Sequence, residues 1–441
     1  MRRAAAPAGG PASTALRRAA AGRELGAAVS TPLYSKLKPR PNGPGRERVA
    51  RHQRARLHGA TIAAVAARGY PALTVSQLVA LAGISRRTFY EHFADREACF
   101  LASYDAIVAG AARRAGEAAG LGPAFEALAH EVAAKPQAAR LALVEILAAG
   151  PVGLERIERT RGAVQRTLAE RLCEPQAPPP PPAVLQGIAG GIWHVARRRL
   201  LEDAPHELPE LAGGLHAWAL ACGSPAAAEL PIGAPTVASL AGACHPGGRD
   251  EHRLILRTAA ELAAREGYAQ VSTGRIADEA GVPEALLRER YGSGEECFLA
   301  ALELLTAEAL AGALRDAQQA PDWPTGVQRA LATLMRHVAH DRAFAQIAFV
   351  EVFAAGPGGL QRGEGLLRSL AELLLRYAPR AQRPSPLAAE AAVGGIWEII
   401  HHHVAHRTVQ QLPGLAASAA YLVLAPAIGP EEAVRSVRAG S

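Results

Sequence analysis

The chain has 441 residues, 49% hydrophobic and 5% aromatic, with 48 Lys/Arg against 41 Asp/Glu and a formal net charge of +7. That length exceeds one ordinary domain and suits two to four, and no apolar run approaches the ~18 residues of a membrane-spanning helix, so no membrane partner is expected. Cys99, Cys173, Cys222, Cys244 and Cys297 are scattered without a CxxC pair, which argues against a zinc site or disulfide framework and fits a reducing cytoplasm.

The charge is uneven. Residues 1–56 hold 13 Lys/Arg and 2 Glu, a net of +11, which leaves −4 for the rest. A basic arm (1–49) ahead of an acidic body is either a local polyanion contact or a solvated tail. It contains Arg pairs but no continuous apolar core, unlike a signal segment.

Ala and Leu dominate, and Val/Ile/Thr runs are scarce, which favours helices throughout. A first helix spans 51–68 and ends at Gly69. Thr74 N-caps a short helix, "VSQLVALA", with Val75, Leu78, Val79 and Ala82 at helical spacing. Gly83 supplies a turn, Ser85 caps the next helix (86–92), and Asp95 opens a longer one to about residue 118. Further helices are expected near 123–134, 137–149, 152–173, 183–202 and 206–222. The proline run in "EPQAPPPPPA" (174–183) forms a stiff extended loop.

The pattern then repeats. Gly69-Tyr70, Ala82-Gly83 and the segment 97–102 return at Gly267-Tyr268, Ala280-Gly281 and 295–300, always 198 residues on. "VEILAAGPVGL" (144–154) returns as "VEVFAAGPGGL" (350–360), and "GGIWHV" (190–195) as "GGIWEI" (394–399). Ordered blocks of this kind mean two copies of one domain. The expected division is an arm 1–49, head 50–102 and helical domain 103–222 for copy 1, and a Gly/Pro-rich linker 223–249. Head 250–300 and helical domain 301–425 make up copy 2, with a tail 426–441.

Two short helices joined at a glycine turn form a helix-turn-helix, whose second helix enters the DNA major groove. In "SRRTFYEHF", Phe89 and Phe93 face the core, while Arg86, Arg87, Thr88, Tyr90 and His92 are left for other surfaces. Arg suits guanine or phosphate, Thr a thymine methyl, and Tyr and His phosphates. With Arg54, Thr74 and Ser85 they form the expected DNA-contact set; a solvated basic face is the alternative.

The segment "GYPALTVSQLVALAGISRRTFYEHFADREACFLA" (69–102) resembles the DNA-binding segment of the tetracycline-repressor (TetR) family of bacterial regulators. The resemblance implies an all-α fold of two tandem TetR-like domains. Each would be an N-terminal three-helix helix-turn-helix unit followed by a C-terminal helical ligand and dimerisation domain. It also implies operator DNA and a small-molecule effector as partners. Copy 2 departs at the reading positions, where Ser85-Arg86-Arg87-Thr88 becomes Pro283-Glu284-Ala285-Leu286, Tyr90 becomes Arg288 and His92 becomes Arg290. Residues 52–100 carry a net +3 and residues 250–298 a net −4, which opposes phosphate binding by copy 2.

Gly-Gly inside the penultimate helix of each copy suggests close helix approach. The resemblance puts these helices in a dimer bundle, which one chain can close internally as a pseudo-dimer; a homodimer pairing copy 1 with copy 1 is the other arrangement. Glu145 and Glu351 are matching acids in apolar helices, either effector ligands or structural acids, and Trp193 and Trp397 line either the pocket or the bundle. "HHHVAH" (401–406) places His402 and His406 one turn apart, but "RRRLLE" stands at the same place in copy 1, which reads as a solvated polar face. No metal or cofactor is expected. No Ser/His/Asp cluster, phosphate loop or HExxH points to an enzyme. The expected function is a ligand-responsive transcriptional regulator, a repressor, reading DNA mainly through residues 85–92. The rivals are a regulator whose copy 2 serves only dimerisation and ligand binding, and an interaction scaffold without DNA binding.

Overall fold

The computed structural model describes residues 45–172, 178–231 and 251–439. Most of the basic arm, most of the linker, residues 174–177 ahead of the proline run, Cys173 and Cys244 fall outside them. Every regular element among the described residues is a helix.

Copy 1 contains α1 (Arg46–Arg68), α2 (Val75–Ala82), α3 (Arg86–His92), α4 (Arg96–Glu117), α5 (Leu121–Ala134), α6 (Pro136–Leu143), α7 (Pro151–Leu172), α8 (Pro182–Leu201) and α9 (Leu208–Cys222). Copy 2 contains α10 (Glu251–Glu266), α11 (Thr273–Ala280), α12 (Glu284–Tyr291), α13 (Gly294–Gln318), α14 (Trp323–His340), α15 (Arg342–Gln346), α16 (Gly356–Tyr377), α17 (Pro386–Ala405), α18 (Ala416–Ile428) and α19 (Pro430–Ala439). The last helix falls where the sequence suggests a tail. Ala433, Val434 and Val437 are buried, and Gln328 Nε2 donates to the Val437 carbonyl at 2.8 Å.

The chain forms two compact units. One comprises the described part of Met1–Arg113 with Lys135–Ile157, the other Arg114–Ala134 with the described part of Glu158–Ser441. The first is built around Leu57, Leu78, Phe89, Phe100, Tyr104, Leu141 and Ile146, all buried. Its head is ordered by local chemistry. Thr74 Oγ1 accepts the Gln77 N–H at 3.3 Å while the Gln77 side chain accepts the Thr74 N–H at 2.8 Å, a capping box. Gly83 sits at φ 60°, ψ 42°, the left-handed turn that glycine adopts without strain.

The second unit centres on α8, α9, α17 and α18, the last two long helices of each copy, packed as a four-helix bundle. Added Cβ atoms show why α8 and α17 carry paired glycines. One on Gly191 would meet the Ala391 carbonyl oxygen at 2.4 Å, and one on Gly395 the Gly187 carbonyl oxygen at 2.4 Å. Without side chains in the way, the backbones approach until dispersion contacts are close. Tyr421 Oη donates to the Ala221 carbonyl at 3.2 Å, which ties α18 to the end of α9. The head of copy 2, through Ile255, Ile276, Leu287 and Phe298, belongs to the same hydrophobic core.

The 294–318 and 409–428 segments reach the length and mean apolarity of membrane spans, but their apolar windows are 50% and 61% buried inside the fold. One sequence expectation is corrected here: the "RRR" and "HHH" stretches are not a solvated face. Arg197, Arg199, His401 and His403 are buried, because the bundle covers α8 and α17 on most sides and carboxylates from the opposite copy neutralise the arginines. Arg197 donates to Glu364 at 2.7 Å, Arg199 to Glu390 at 2.8 Å, and Arg161 lies 2.6 Å from Glu398.

Candidate nucleic-acid interface and effector cavity

The recognition helix α3 begins at Ser85, whose Oγ accepts the Thr88 N–H at 3.0 Å. Phe89 is fully buried and Phe93 half-buried, which anchors the helix. Arg86, Arg87 and Tyr90 project to solvent, Tyr90 at 56% exposure. Arg86 Nη2 rests on Ser76 Oγ at 2.6 Å and Arg87 Nε on Glu91 at 3.3 Å. Both are surface contacts of the kind that little energy is needed to break. Arg54 is exposed on α1.

The remaining expected contacts have prior occupations. Thr74 and Ser85 cap helices, their hydroxyls accepting the Gln77 and Thr88 N–H groups. The Thr88 hydroxyl lies 3.0 Å from Ser85 Oγ. His92 Nε2 is 3.0 Å from Gln53 Oε1, which fastens α3 to α1. Burial and the nearby Arg54 charge push the His92 imidazole down.

Two arginines outside the expected set shape the head. Arg56, buried on α1, donates from Nη2 to the Gly83 carbonyl at 3.1 Å and so pins the turn between α2 and α3. Arg96 donates to the carbonyls of Pro71 and Leu73 and lies over the Tyr70 ring. Their signal was faint: a lone Arg on the apolar stripe of α1, and an Arg at the start of α4 whose counterpart in copy 2 is Gly294.

The head of copy 2 has the same frame with different chemistry. Ser272 caps α11, Gly281 takes the left-handed turn, and Leu287 is buried where copy 1 has Phe89. On α12, Glu284 accepts from Thr273 Oγ1 at 2.7 Å and from Arg288 at 2.9 Å. Arg275 pairs with Glu266 at 2.7 Å and Arg265 with Glu279 at 2.8 Å. Arg56 has Leu254 as its counterpart, 52% exposed, so no arginine pins this turn.

Glu145 and Glu351 perform one task in the two copies. Glu145 Oε2 accepts the Tyr70 N–H at 3.0 Å, and Glu351 Oε2 accepts the Tyr268 N–H at 2.8 Å. Each carboxylate satisfies the backbone just past the first helix of its head, and these bonds explain why both positions hold an acid. Trp193 lies under Arg161, at 5.9 Å. Trp397 lies under Arg197, at 5.8 Å, and lines a cavity of about 330 Å³ in copy 2.

That cavity is mostly apolar, walled by Leu302, Leu310, Val352, Leu366, Leu367 and Trp397. Arg197 of copy 1 reaches its wall, beside Glu364 of α16. Glu364 Oε2 and Thr306 Oγ1 are buried there with no hydrogen-bond partner. An apolar enclosure with a few unsatisfied polar atoms is the usual form of a small-ligand site.

Two heads, each a tight pair of helices about a left-handed glycine with a third helix behind, define a helix-turn-helix DNA-binding protein. Residues 59–103 and 255–301 match the bacterial regulatory proteins of the tetR family. The chain thus carries the DNA-binding segment of the tetR family of regulators twice in tandem. The fold also aligns with the fatty acid degradation regulator FadR of Bacillus halodurans, at 18% identity over 40% of this chain and 96% of that one, with a TM-score of 0.36. A TetR-like transcriptional regulator of Rhodococcus sp. RHA1 aligns at 23% identity over 40% of this chain and 97% of that one, with a TM-score of 0.31. No curated protein matches the chain.

Proposed function

We propose that this chain is a ligand-responsive repressor that acts as an internal pseudo-dimer and reads DNA mainly through the copy 1 recognition helix, 85–92. The observation that carries the reading is the contrast between the heads. In copy 1, Arg86, Arg87 and Tyr90 stand exposed with Glu91 as the one acid on the helix; in copy 2, Glu284 and Ala285 stand where copy 1 has Arg86 and Arg87, and Glu284 pairs with Arg288. Phosphate and guanine both require free cationic donors, so the first head binds and the second contributes little.

The cross-copy ion pairs support the internal pairing. Copy 1 supplies Arg161, Arg197 and Arg199, and copy 2 supplies Glu398, Glu364 and Glu390. In the repeat register, a copy 1 to copy 1 bundle of the same geometry would replace Glu390 by Gln186 and Glu398 by His194. A buried guanidinium that loses its carboxylate costs about 3–5 kcal/mol, which favours unlike copies. The effector belongs in the 330 Å³ cavity, as an apolar molecule with a hydrogen-bond donor for Glu364 Oε2.

The test is selection of binding sites from random DNA by the full chain, followed by a reporter carrying the selected site. Recovery of a site whose binding depends on Arg86 and Arg87, and repression of the reporter, would support the reading. No selected sequence, or binding that survives loss of both arginines, would refute it.

A further inference from the structure

The bundle brings three metal-ligating side chains from different copies to one place. His402 on α17 and His406, the residue just past its end, lie one turn apart, and Glu158 on α7 faces them; one donor atom of each lies within 4.8 Å of those of the other two. The imidazole centroids are 4.2 Å apart, and His402 Nδ1 stands 3.3 Å from Glu158 Oε2. The surroundings orient these groups. His406 Nδ1 is 2.8 Å from the His402 carbonyl oxygen, and an N–H donated there leaves Nε2 as the lone-pair nitrogen. Arg161 Nη1 donates to Glu158 Oε1 at 3.0 Å, so Oε2 is the oxygen left toward the histidines.

We propose that Glu158, His402 and His406 form a three-ligand site for one divalent transition-metal ion, with zinc as the reference, that clips α7 of copy 1 to α17 of copy 2. Two imidazoles and a carboxylate suit such an ion and leave a coordination position for water or an anion. The ligand atoms need only side-chain rotation to draw in, because all three residues are half-buried or exposed. The repeat explains why there is one site per chain. At the related position on the other side of the bundle, Arg198, Glu202 and Glu364 stand for His402, His406 and Glu158. There the Arg198 guanidinium lies 3.1 Å from Glu202 and 3.1 Å from Glu390. A fixed organic cation thus holds the place in copy 1 that copy 2 leaves to an ion. The Arg161 charge beside Glu158 weakens metal binding, and a neutral site with four ligands would bind more tightly.

The test is calorimetric titration of zinc chloride into the full-length chain, stripped with chelator beforehand, with thermal unfolding measured in parallel. The expected result is one ion per chain and a rise in Tm with zinc. His406→Ala, at an exposed position near the end of α17, should lower the affinity at least about tenfold while leaving the helical circular dichroism unchanged. Glu158→Gln should do the same from the other copy, and His206→Ala, elsewhere on the surface, should change nothing. Cobalt in place of zinc should give a d–d absorption band that Glu158→Gln alters. Absence of stoichiometric binding, or affinity unchanged by His406→Ala, would overturn the site. Wild-type affinity and an unaltered cobalt spectrum in Glu158→Gln would overturn the clip between copies.

Discussion

Arg86 and Arg87 in one head, Glu284 and Ala285 in the other: these side chains set the charge of the two recognition helices apart. Replacing Arg86 or Arg87 by Ala should cost about 1–3 kcal/mol of DNA binding if that side chain makes a bidentate base contact, seen as a five- to more than hundredfold rise in Kd at fixed salt. Glu284→Ala should leave DNA binding intact or tighten it, because it frees Arg288 and removes an acid; clearly weaker binding would mean that Glu284 serves the head in another way. A further residue-scale prediction concerns pH. Burial pushes the His194 imidazole down to about 4, despite Glu364 at 3.6 Å, whereas an unfolded imidazole titrates near 6.5. Between these values the unfolded chain holds a proton that the folded chain lacks. The stability from this group is complete above about pH 6.5 and is lost as pH falls toward 4. His194→Gln should therefore flatten the acid limb of a stability profile by about one proton, or about 1.4 kcal/mol per pH unit, in urea midpoints taken with chelator present. Residue roles were only partly legible. Thr74 and Ser85 announced themselves as caps by their place before apolar periodicity. Arg56 did not, because only the fold brings the Gly83 carbonyl 27 residues away to its guanidinium.

At the scale of elements, the crossing of α8 and α17 holds the second unit together. Gly395→Ala would set a Cβ 2.4 Å from the Gly187 carbonyl oxygen, and backbone cannot yield as a side-chain tip does. A destabilisation of about 1–3 kcal/mol is expected, measured as a lower urea midpoint; an unchanged midpoint would mean that the helices separate without cost. Gly365→Ala, where an added Cβ meets nothing within 4 Å, is the control. The repeated "GGIW" made this crossing visible from sequence, since glycine pairs in a helix need a packing reason. The polarity of the following "RRR" and "HHH" misled for the same structural reason. A helix wrapped on most sides by a bundle buries even its charged positions, provided another chain segment supplies the counter-charge, and single-segment periodicity carries no information about that segment.

For the whole molecule, the ion pairs that join copy 1 arginines to copy 2 glutamates predict a monomer of about 46.0 kDa in sedimentation. A tight dimer near twice that mass would place the pairing between chains. The duplication itself was plain in the sequence, while the unequal chemistry of its two halves acquires meaning only from the partners that each residue meets. An ordinary dimer of this fold class presents identical recognition helices to two half-sites, so its operator is palindromic. Here one recognition helix carries Arg86, Arg87, Thr88 and Tyr90, and the other Glu284, Ala285, Leu286 and Arg288. The measurement that tests this most directly is the base-preference profile of sites selected from random duplex DNA by the purified full chain. The account predicts a non-palindromic site whose information lies in one half and vanishes when Arg86 and Arg87 are replaced together. Two equal, inverted half-sites, both lost on that replacement, would contradict it and would mean that two chains each present copy 1.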